Sequence, residues 1–224
     1  MSTTAIEDYA KAIYALQERA DAEAVTTTAL AERLGVTPGS VSAMLKKLHD
    51  AGLVAHEPYH GVRLTAQGRR FALEVVRHHR LIELFLAEVL GMPWDRVHDE
   101  AEVLEHVLSE ELEDLIATKL GHPTADPHGD PIPSADLEVP EERRGVPLQA
   151  LDPGASGRFV RVSDADPDML RWLAERAVRP GDQLEVLDKQ PFGGPLTVRV
   201  GESVHVLGGG VAAAMRIELA RPLD

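Results

Sequence analysis

The chain has 224 residues and a formal net charge of −14, and 44% of its residues are hydrophobic. It contains no cysteine, which excludes disulfide bonds and any metal site built on thiolates. No run approaches the roughly 20 apolar residues of a membrane-spanning helix. The polar start of the chain does not resemble a signal peptide, so we expect a soluble, cytoplasmic protein without membrane contact.

The negative charge is concentrated in the middle of the chain. Residues 1–73 carry 8 basic and 8 acidic side chains, residues 74–140 carry 4 and 16, and residues 141–224 carry 11 and 13. A neutral first segment can still present a basic face to nucleic acid, whereas the acidic middle segment attracts cations. These three segments are the predicted domains.

The first segment is predicted to form a winged helix-turn-helix. After an amphipathic first helix, Thr26, Thr27 and Thr28 offer caps for a short second helix that Gly35 ends, and a third helix begins at Pro38. Residues 53–56 and 62–65 alternate like the two strands of a hairpin. Three helices followed by a hairpin are typical of winged DNA-binding domains.

The third helix is predicted to enter the major groove of DNA. Its N-terminal end carries small polar residues that allow close approach, and lysines further along suit phosphate contacts. No Arg, Asn or Gln stands at the base-reading end, so we expect specificity from methyl contacts and DNA shape. A winged helix used only for protein contacts is the alternative. The candidate DNA-contacting residues are Thr27, Thr37, Pro38, Ser40, Ser42, Lys46 and Lys47, with His60 and Arg63 in the wing.

The remaining segments predict a helical domain and a small β domain. Two long helices, at about residues 67–90 and 95–120, precede a loop rich in proline and glycine. Short strands punctuated by glycines, with a helix beginning at Asp166-Pro167, then fit an SH3-like barrel. The predicted fold class is therefore mainly α with a small β part.

The acidic segment contains imidazole and carboxylate groups at helical spacing. On the second long helix, two histidines and two glutamates share an arc of about 100° beside an apolar stripe. Such a face is costly unless its charges have a partner, and a divalent cation is one. These residues are His98, Glu102, Glu105 and His106, together with His79 and Glu83 one turn apart on the preceding helix, and Asp8 from the first helix.

Each of these residues also has an ordinary structural explanation. Glu102 and Glu105 could form a solvated helix face, His106 could be a core histidine, and Asp8 could stabilise a helix N-terminus. Their coincidence in one acidic segment favours a metal site instead. Ligands without sulfur suit Mn²⁺ or Fe²⁺, and Zn²⁺ or Co²⁺ could substitute in vitro. A carboxylate-bridged dimetal enzyme and a metal buffer are the alternatives from other classes.

Over nearly its full length, the chain resembles the diphtheria toxin repressor family of metalloregulators. Singly, none of the motifs would be specific, but together they are. The motifs are Ile6-Glu-Asp-Tyr, Gly52-Leu-Val, His79-Arg-Leu-Ile-Glu83, Val97-His-Asp-Glu-Ala-Glu102, Glu105-His106, and Asp126-Pro-His-Gly with Pro131-Ile-Pro133.

The resemblance implies a homodimer, a winged helix at 1–73, a helical dimerisation and metal-binding domain at 74–140, and a linker with an SH3-like, FeoA-like domain at 141–224. It implies a primary metal site and an ancillary one. The primary ligands would be Asp8, Glu102, Glu105 and His106, and the ancillary ligands His79, Glu83 and His98. The iron-type branch has Met and Cys where this chain has Asp8 and Glu102, so the resemblance favours manganese.

The chain also departs from the family pattern. The short manganese repressors have Glu where this chain has Lys11, so their binuclear geometry is not transferable. Asp164 or Asp166 could lend a ligand from the third domain, although we prefer Asp166 as the N-cap of the helix at Pro167. The predicted function is a Mn²⁺-activated repressor that binds operator DNA as a dimer and controls metal-ion homeostasis genes. An Fe²⁺-dependent repressor of iron uptake genes is the alternative.

Overall fold

The computed structural model of the chain describes residues 3–20, 24–57, 61–139 and 145–219. These residues contain eight α-helices, a two-stranded hairpin and a six-stranded sheet. The chain divides into two compact units. The first comprises Met1–His79, Glu102–Leu115 and Pro133–Glu138, and the second comprises Arg80–Ala101, Ile116–Ile132 and Val139–Asp224.

The N-terminal part of the first unit is the predicted winged helix-turn-helix. Thr26 Oγ1 accepts the Ala29 N–H at 3.1 Å, and Thr37 Oγ1 accepts the Ser40 N–H at 3.2 Å, so both predicted helix caps are confirmed. Gly35 ends the second helix with a φ of 63°, a conformation that favours glycine. The elements are α1 (Thr3–Ala20), α2 (Thr27–Leu34), α3 (Pro38–Asp50), β1 (Val54–Glu57) and β2 (Gly61–Leu64).

The core of this domain is formed by one face of each helix. Ile13, Leu30, Val41, Leu45 and Leu48 are at most 1% exposed. Burying an aliphatic side chain of this size stabilises a fold by about 1.5–3 kcal/mol. Because three of these residues lie on α3, the opposite face of α3 is held outward.

The helix α4 (Ala66–Glu88) begins directly against the wing. A Cβ at Gly68 would lie 1.8 Å from the carbonyl oxygen of Leu53, so only glycine fits there. Thr65 Oγ1 accepts the Gly68 N–H at 3.0 Å and caps the helix. These contacts fix the start of α4 on the winged helix.

The second long helix that the sequence predicts at 95–120 is in fact two helices, α5 (Val97–Leu104) and α6 (Glu110–Lys119). Ser109 explains the break, because its Oγ accepts the Leu112 N–H at 3.3 Å. Glutamates in the first turn of α6 further favour a new helix N-terminus. The prediction of one charged arc on a single helix is therefore wrong.

The C-terminal part of the second unit is a small antiparallel sheet with strand order β3-β8-β4-β5-β6-β7. Phe159, Leu173, Val186 and Val198 are fully buried in its core. The glycine run after β7 forms a short helix, α8, which the sequence does not predict. The elements are β3 (Val146–Pro147), a 3₁₀ turn (Leu148–Ala150), β4 (Ser156–Arg161), α7 (Pro167–Ala174), β5 (Gln183–Lys189), β6 (Leu196–Val200), β7 (Ser203–Leu207), α8 (Gly209–Ala214) and β8 (Arg216–Leu219).

The predicted boundary between the helical and β domains, at residues 140 and 141, lies outside the described residues. The three predicted domain ranges therefore stay predictions. No helix in the described part of the chain is both long and apolar enough to cross a membrane.

Candidate metal centres

A cluster of carboxylates and imidazoles lies in the first unit. We define the first cluster as Asp8, His79, Glu102, Glu105 and His106. Asp8 Oδ1 is 3.1 Å from His106 Nε2, and His106 Nε2 is 3.6 Å from Glu105 Oε1. His79 Nδ1 is 2.5 Å from Glu105 Oε2 and 3.8 Å from Glu102 Oε1. The structure thus brings the four predicted primary-site residues together, along with His79.

The turn after α5 positions the two central residues of this cluster. The carbonyl oxygen of Leu104 accepts the Val107 N–H at 3.1 Å, which closes the turn. As a result, the side chain of Glu105 is fully buried and that of His106 is 10% exposed. Asp8 approaches them from α1, which belongs to the winged helix. The first cluster therefore joins the DNA-binding segment to the helical segment within one unit.

The buried carboxylate of Glu105 tests whether the first cluster fits a cation. A carboxylate removed from water needs positive partners or hydrogen bonds around it. The ligand atoms of Asp8, Glu105 and His106 lie within 4.8 Å of one another, as do those of His79, Glu102 and Glu105. Carboxylate and imidazole donors without sulfur suit Mn²⁺ or Fe²⁺. The residues therefore fit a hard divalent cation.

Two further charged residues contact this cluster. From the sequence, Lys11 stood out only as a departure from the family pattern, and Glu7 was not predicted as a site residue. Lys11 Nζ lies 2.7 Å from Glu102 Oε1 and 2.6 Å from Glu105 Oε1. Glu7 Oε2 lies 2.5 Å from His106 Nδ1, so it orients the imidazole as carboxylates do for metal-ligating histidines. The spacing in the sequence could have indicated both residues, because Glu7 directly precedes Asp8 and Lys11 follows Asp8 by about one helical turn.

Burial raises the pKa of Asp8 above its usual value, although His106 and Lys11 act in the opposite direction. Glu102 and Glu105 add to the rise through like-charge repulsion. A carboxylate held among other carboxylates gains from an added positive charge. The electrostatics of Asp8 thus favour a cation in the first cluster.

A second cluster, in the second unit, consists of Glu83, His98, His128 and Asp164. His98 Nδ1 is 3.2 Å from Glu83 Oε1 and 3.3 Å from Asp164 Oδ2. The ligand atoms of Glu83, His128 and Asp164 lie within 4.8 Å of one another. Glu83 and His128 are buried, while the side chains of His98 and Asp164 are about one-third exposed. The set again combines carboxylates with imidazoles.

His128 gives the clearest sign that the second cluster also fits a cation. Its Nε2 donates to the carbonyl oxygen of Trp94 at 2.9 Å, which directs Nδ1 toward Glu83. Among the described residues, Nδ1 is buried without a hydrogen-bond partner and lies 3.7 Å from Glu83 Oε2. Burial alone would lower the pKa of His128, but Glu83 and Asp126 raise it to about 10. This nitrogen therefore carries a proton where a metal ligand would offer its lone pair.

The loop that carries His128 is held rigidly. Asp126 Oδ1 accepts the backbone N–H groups of His128 at 2.8 Å and Asp130 at 2.9 Å. Gly129 has a φ of 90°, and a Cβ there would lie 1.9 Å from the carbonyl oxygen of Val160. The sequence predicted only a loop in this region, so His128 is a site residue that it missed.

A third group, Glu74, His78 and Glu110, also brings possible ligand atoms together in the first unit. His78 Nε2 lies 2.8 Å from Glu113 Oε2, and Glu113 also accepts a hydrogen bond from Arg77. Arg77 in turn donates to the carbonyl oxygen of Pro133. Glu74 and Glu110 are exposed and Glu113 already engages His78, so this group is a weaker candidate for a metal than the other two.

The remaining predicted metal ligands fall in different places. Glu83 and His98 meet Asp164 in the second cluster, whereas His79 contacts Glu105 in the first. That His79 joins Glu83 and His98 in an ancillary site stays a prediction. Asp166 Oδ1 accepts the Met169 N–H at 3.1 Å, which confirms it as the N-cap of α7.

Six of the predicted DNA-contacting residues lie at the start of α3 or along it, Thr27 lies in α2, and Arg63 lies in β2 of the wing. Three of their hydroxyl groups already make internal hydrogen bonds. Thr37 Oγ1 caps the helix and lies 2.9 Å from Ser40 Oγ, and Ser42 Oγ donates to the Pro38 carbonyl oxygen at 3.0 Å. Thr27 is half-buried, and His60 lies outside the described residues. The exposed residues are Thr37, Pro38, Ser40, Ser42, Lys46, Lys47 and Arg63.

Comparison with known proteins covers all three parts of the chain. Residues 1–62 match the family described as iron dependent repressor, N-terminal DNA binding domain. Residues 65–134 match its metal binding and dimerisation domain, and residues 146–219 match the FeoA domain. The iron-dependent repressor IdeR of Mycobacterium tuberculosis is 33% identical over 95% of this chain and 96% of its own length.

The chain belongs to the diphtheria toxin repressor family. It is a metal-dependent, DNA-binding transcriptional repressor with a C-terminal FeoA domain, and not an enzyme. The diphtheria toxin repressor of Corynebacterium diphtheriae is 32% identical to the repressor over 82% of this chain and 84% of its own length. The predicted family and fold class are confirmed, and the alternative of a dimetal enzyme is set aside.

Solved structures resemble the repressor over nearly its whole length. A manganese-dependent transcriptional repressor in complex with manganese has a TM-score of 0.86 and 43% identity, covering 96% of this chain and all of that one. The manganese regulator SloR has a TM-score of 0.74 and 32% identity, covering 96% and 98%. The named relatives thus include both iron-dependent and manganese-dependent repressors, and the family assignment covers both.

Proposed function

We propose that this repressor is activated by Mn²⁺ and binds operator DNA as a homodimer in the cytoplasm, where it controls genes of metal-ion homeostasis. The observation that carries the proposal is the contact of 3.1 Å between Asp8 and His106. It places a carboxylate of the DNA-binding segment among the candidate ligands of the helical segment. A group bound there holds α1, and with it the winged helix, in one arrangement.

The mechanism follows from the positions of the chain's own residues. Asp8, Glu102 and Glu105 are three carboxylates within one small volume, and the ammonium group of Lys11 offsets only part of their negative charge. A divalent cation would attract all three carboxylates and would strengthen the contact that Asp8 already makes with the turn after α5. Asp8 then stays beside His106, and α3 keeps a fixed position in the dimer. Metal raises the affinity for DNA only to the extent that it binds this arrangement of the protein more tightly than the open arrangement.

The choice of manganese rests on the donors. The first cluster offers three carboxylates and two imidazoles, and oxygen-rich sets of this kind suit Mn²⁺. The solved relative with the manganese complex is 43% identical to the repressor, which supports the same metal. Fe²⁺ takes similar ligands, and the iron-dependent relatives make it the alternative, while Zn²⁺ or Co²⁺ could substitute in vitro.

An apolar face on the first unit supports the proposed homodimer. Isolated apolar residues at a surface are common, but a contiguous group marks an interface. The family match for this region describes a dimerisation domain. In a dimer built on this face, two copies of α3 could reach successive major grooves, about 34 Å apart. The exposed residues are Val103, Leu104, Val107, Leu112 and Leu115.

The test compares Asp8→Met with Asp136→Met in the full chain. A duplex selected from a random pool serves as the DNA, and its affinity is measured with and without Mn²⁺. We expect Asp8→Met to reduce the Mn²⁺-dependent gain in affinity by at least about tenfold. Asp136 is exposed, so its variant should behave as the parent chain does.

The same assay under anaerobic conditions compares Mn²⁺, Fe²⁺ and Zn²⁺. Activation by Mn²⁺ at a lower free concentration than Fe²⁺ supports a manganese repressor. Activation by Fe²⁺ alone would show that the repressor is iron-dependent. Full Mn²⁺ activation of Asp8→Met, with unchanged thermal stability, would contradict the bridging role of Asp8.

A further inference from the structure

Trp94 lies between the second cluster and the FeoA domain, in the segment that joins α4 to α5. Its indole Nε1–H donates to the carbonyl oxygen of Leu170 in α7 at 3.0 Å, and its ring packs against the core of the FeoA domain. The same indole is stacked on the imidazole of His128, with ring centroids 5.7 Å apart and planes inclined by 21°. One residue therefore contacts both a candidate metal ligand and a helix of the FeoA domain.

The backbone of Trp94 fixes the orientation of the same imidazole. His128 Nε2 donates to the carbonyl oxygen of Trp94 at 2.9 Å, which leaves Nδ1 on the side of Glu83 Oε2. Metal-ligating histidines commonly donate their other ring nitrogen to a carbonyl or carboxylate group, and loss of that partner lowers metal affinity. The stacked ring and the carbonyl group of Trp94 thus hold His128 in the orientation that an ion bound by Nδ1 requires.

A neighbouring contact between the same segment and α7 is weaker. Arg171 Nε lies 3.2 Å from Asp95 Oδ2, but the side chain of Arg171 is 55% exposed. Ion pairs at exposed positions contribute little, because water screens them and both side chains lose freedom. The indole of Trp94, in contrast, combines a hydrogen bond with apolar contact to a buried core. Of these two contacts with α7, that of Trp94 therefore has the larger effect on the position of His128.

We propose that Trp94 is a positioning residue for the second cluster, through which the docking of α7 raises the affinity of this cluster for a divalent ion. While α7 holds the indole, Trp94 holds His128 in place as a ligand. The FeoA domain thereby acts on the cluster by a route separate from its own candidate ligand, Asp164. The inference rests on the proposed function, since it takes Mn²⁺ as the ion that the repressor binds.

A coupling of this kind acts in both directions. If docked α7 strengthens ion binding by a given factor, ion binding strengthens the docking of α7 by the same factor. An ion in the second cluster would therefore make the amide groups of α7 exchange more slowly with solvent. Hydrogen exchange in α7 thus gives a measurement of the coupling that does not depend on DNA binding.

The experiment uses the full chain carrying Asp8→Met, which weakens the first cluster so that the second is measured. In this background, Trp94→Phe keeps an aromatic ring beside His128 but removes the N–H group that Leu170 accepts, and Trp94→Leu removes both. Trp172→Phe is the control, because it makes the same substitution at a half-buried tryptophan of α7 that packs against the same core. Equilibrium dialysis measures the affinity for Mn²⁺, and mass spectrometry measures hydrogen exchange in α7.

We expect Trp94→Phe to weaken Mn²⁺ binding by about threefold to tenfold, and Trp94→Leu by about tenfold or more. Trp172→Phe should bind Mn²⁺ as the background chain does. Addition of Mn²⁺ should slow hydrogen exchange in α7 of the background chain. The same addition should slow it less in Trp94→Phe, because one of the links between the ion and α7 is then lost.

A double-mutant cycle separates a positioning role from a general structural one. Trp94→Phe is combined with His128→Gln, whose side chain can still donate a hydrogen bond to the carbonyl oxygen of Trp94. If Trp94 acts through His128, Trp94→Phe should change the Mn²⁺ affinity of the His128→Gln chain by less than about twofold. A purely structural tryptophan would weaken binding by the same factor with and without His128, and that result overturns the inference.

The outcomes also separate the inference from the function on which it rests. If the parent chain binds no Mn²⁺, the proposed function fails. If the parent chain binds Mn²⁺ but the Asp8→Met background binds none, the proposed function stands and the inference falls. Unchanged Mn²⁺ affinity in Trp94→Phe, with α7 equally protected by the ion, overturns the role of Trp94. If Trp94→Leu does not fold, Trp94→Phe decides.

Discussion

The two clusters offer similar ligands but balance their negative charge in different ways. In the first, the ammonium group of Lys11 contacts both Glu102 and Glu105. In the second, a proton on His128 faces Glu83, and the pKa of this histidine rises to about 10. A side-chain cation stays attached to the chain when metal binds, whereas a proton leaves for the solvent.

The clusters also differ in the segments that supply their residues. The first takes Asp8 from α1 of the winged helix, whereas the second takes its residues from α4, α5, the loop of His128 and the β domain. Only the first can therefore tie the DNA-binding segment to other ligands directly. The rigid turn around Asp126 suits the second cluster to a structural role. Substitutions in each cluster test whether the two clusters have these different roles.

The largest effect is expected for Glu105→Gln, which removes the buried charge of the first cluster while keeping its shape. Lys11 and His79 then lose their common partner, and the cluster loses a ligand charge. We expect Mn²⁺ affinity to fall by about a hundredfold or more, since breaking a buried charge pair costs about 3–5 kcal/mol. Isothermal titration measures this change. Glu100→Gln, an exposed glutamate on α5, is the control and should bind Mn²⁺ normally.

The second-largest effect, on stability, is expected for Glu113→Gln. Glu113 is a buried carboxylate that already accepts hydrogen bonds from protein groups. Burial raises its pKa, but hydrogen bonds from His78 and Arg77 outweigh this and lower it below the usual 4.5. A lowered pKa means that the carboxylate stabilises the fold above about pH 4.5 and loses this contribution as the pH falls through the lowered value. Glu113→Gln should cost about 2 kcal/mol at pH 7 and much less at low pH.

Urea unfolding of the metal-free protein at several pH values measures this contribution. The parent chain should lose stability on acidification more steeply than Glu113→Gln does. Equal stability of the two proteins at pH 7 would show that the network of Arg77, His78 and Glu113 is not a stabilising one. Glu111→Gln, an exposed glutamate on the same helix, provides the matched control.

Local signals in the sequence predicted most of the fold. Threonine caps before α2 and α3, the helical spacing of apolar residues and the alternation in the wing are each set by neighbouring residues. The break between α5 and α6 was missed because the apolar spacing continues across Ser109. The cap at Ser109, followed by Glu110 and Glu111, was the local signal for a new helix start.

The site was predicted only in part, because its chemistry depends on contacts between distant segments. Spacing along the helices identified Glu102, Glu105 and His106. The location of the Lys11 ammonium group between two glutamates depends on how α1 packs on the turn after α5. His128 depends on a loop fixed by Asp126, so composition could indicate a loop but not the direction of an imidazole nitrogen.

A smaller effect is expected for His128→Gln, which removes the imidazole with the unpartnered Nδ1. Glutamine can still donate a hydrogen bond to Trp94, so the loop should keep its position. We expect the second cluster to bind Mn²⁺ about tenfold or more weakly, while Mn²⁺-dependent DNA binding persists. Metal dialysis and DNA titration measure the two quantities. Loss of DNA activation, with His122→Gln unaffected, would make the second cluster part of the switch.

The smallest effect is expected for Glu74→Gln, in the third group of possible ligands. Glu74 is exposed, and its neighbour His78 already contacts Glu113 at 2.8 Å. Burial lowers the pKa of His78, but the contacts with Glu113 outweigh this and raise it, and the Glu113 carboxylate already engages Nε2 of this imidazole. The number of Mn²⁺ ions per chain in Glu74→Gln should therefore equal that of the parent chain. A loss of one ion would show that an exposed carboxylate beside an internally paired histidine holds a metal, and the third group would then join the other two as a metal site in this repressor.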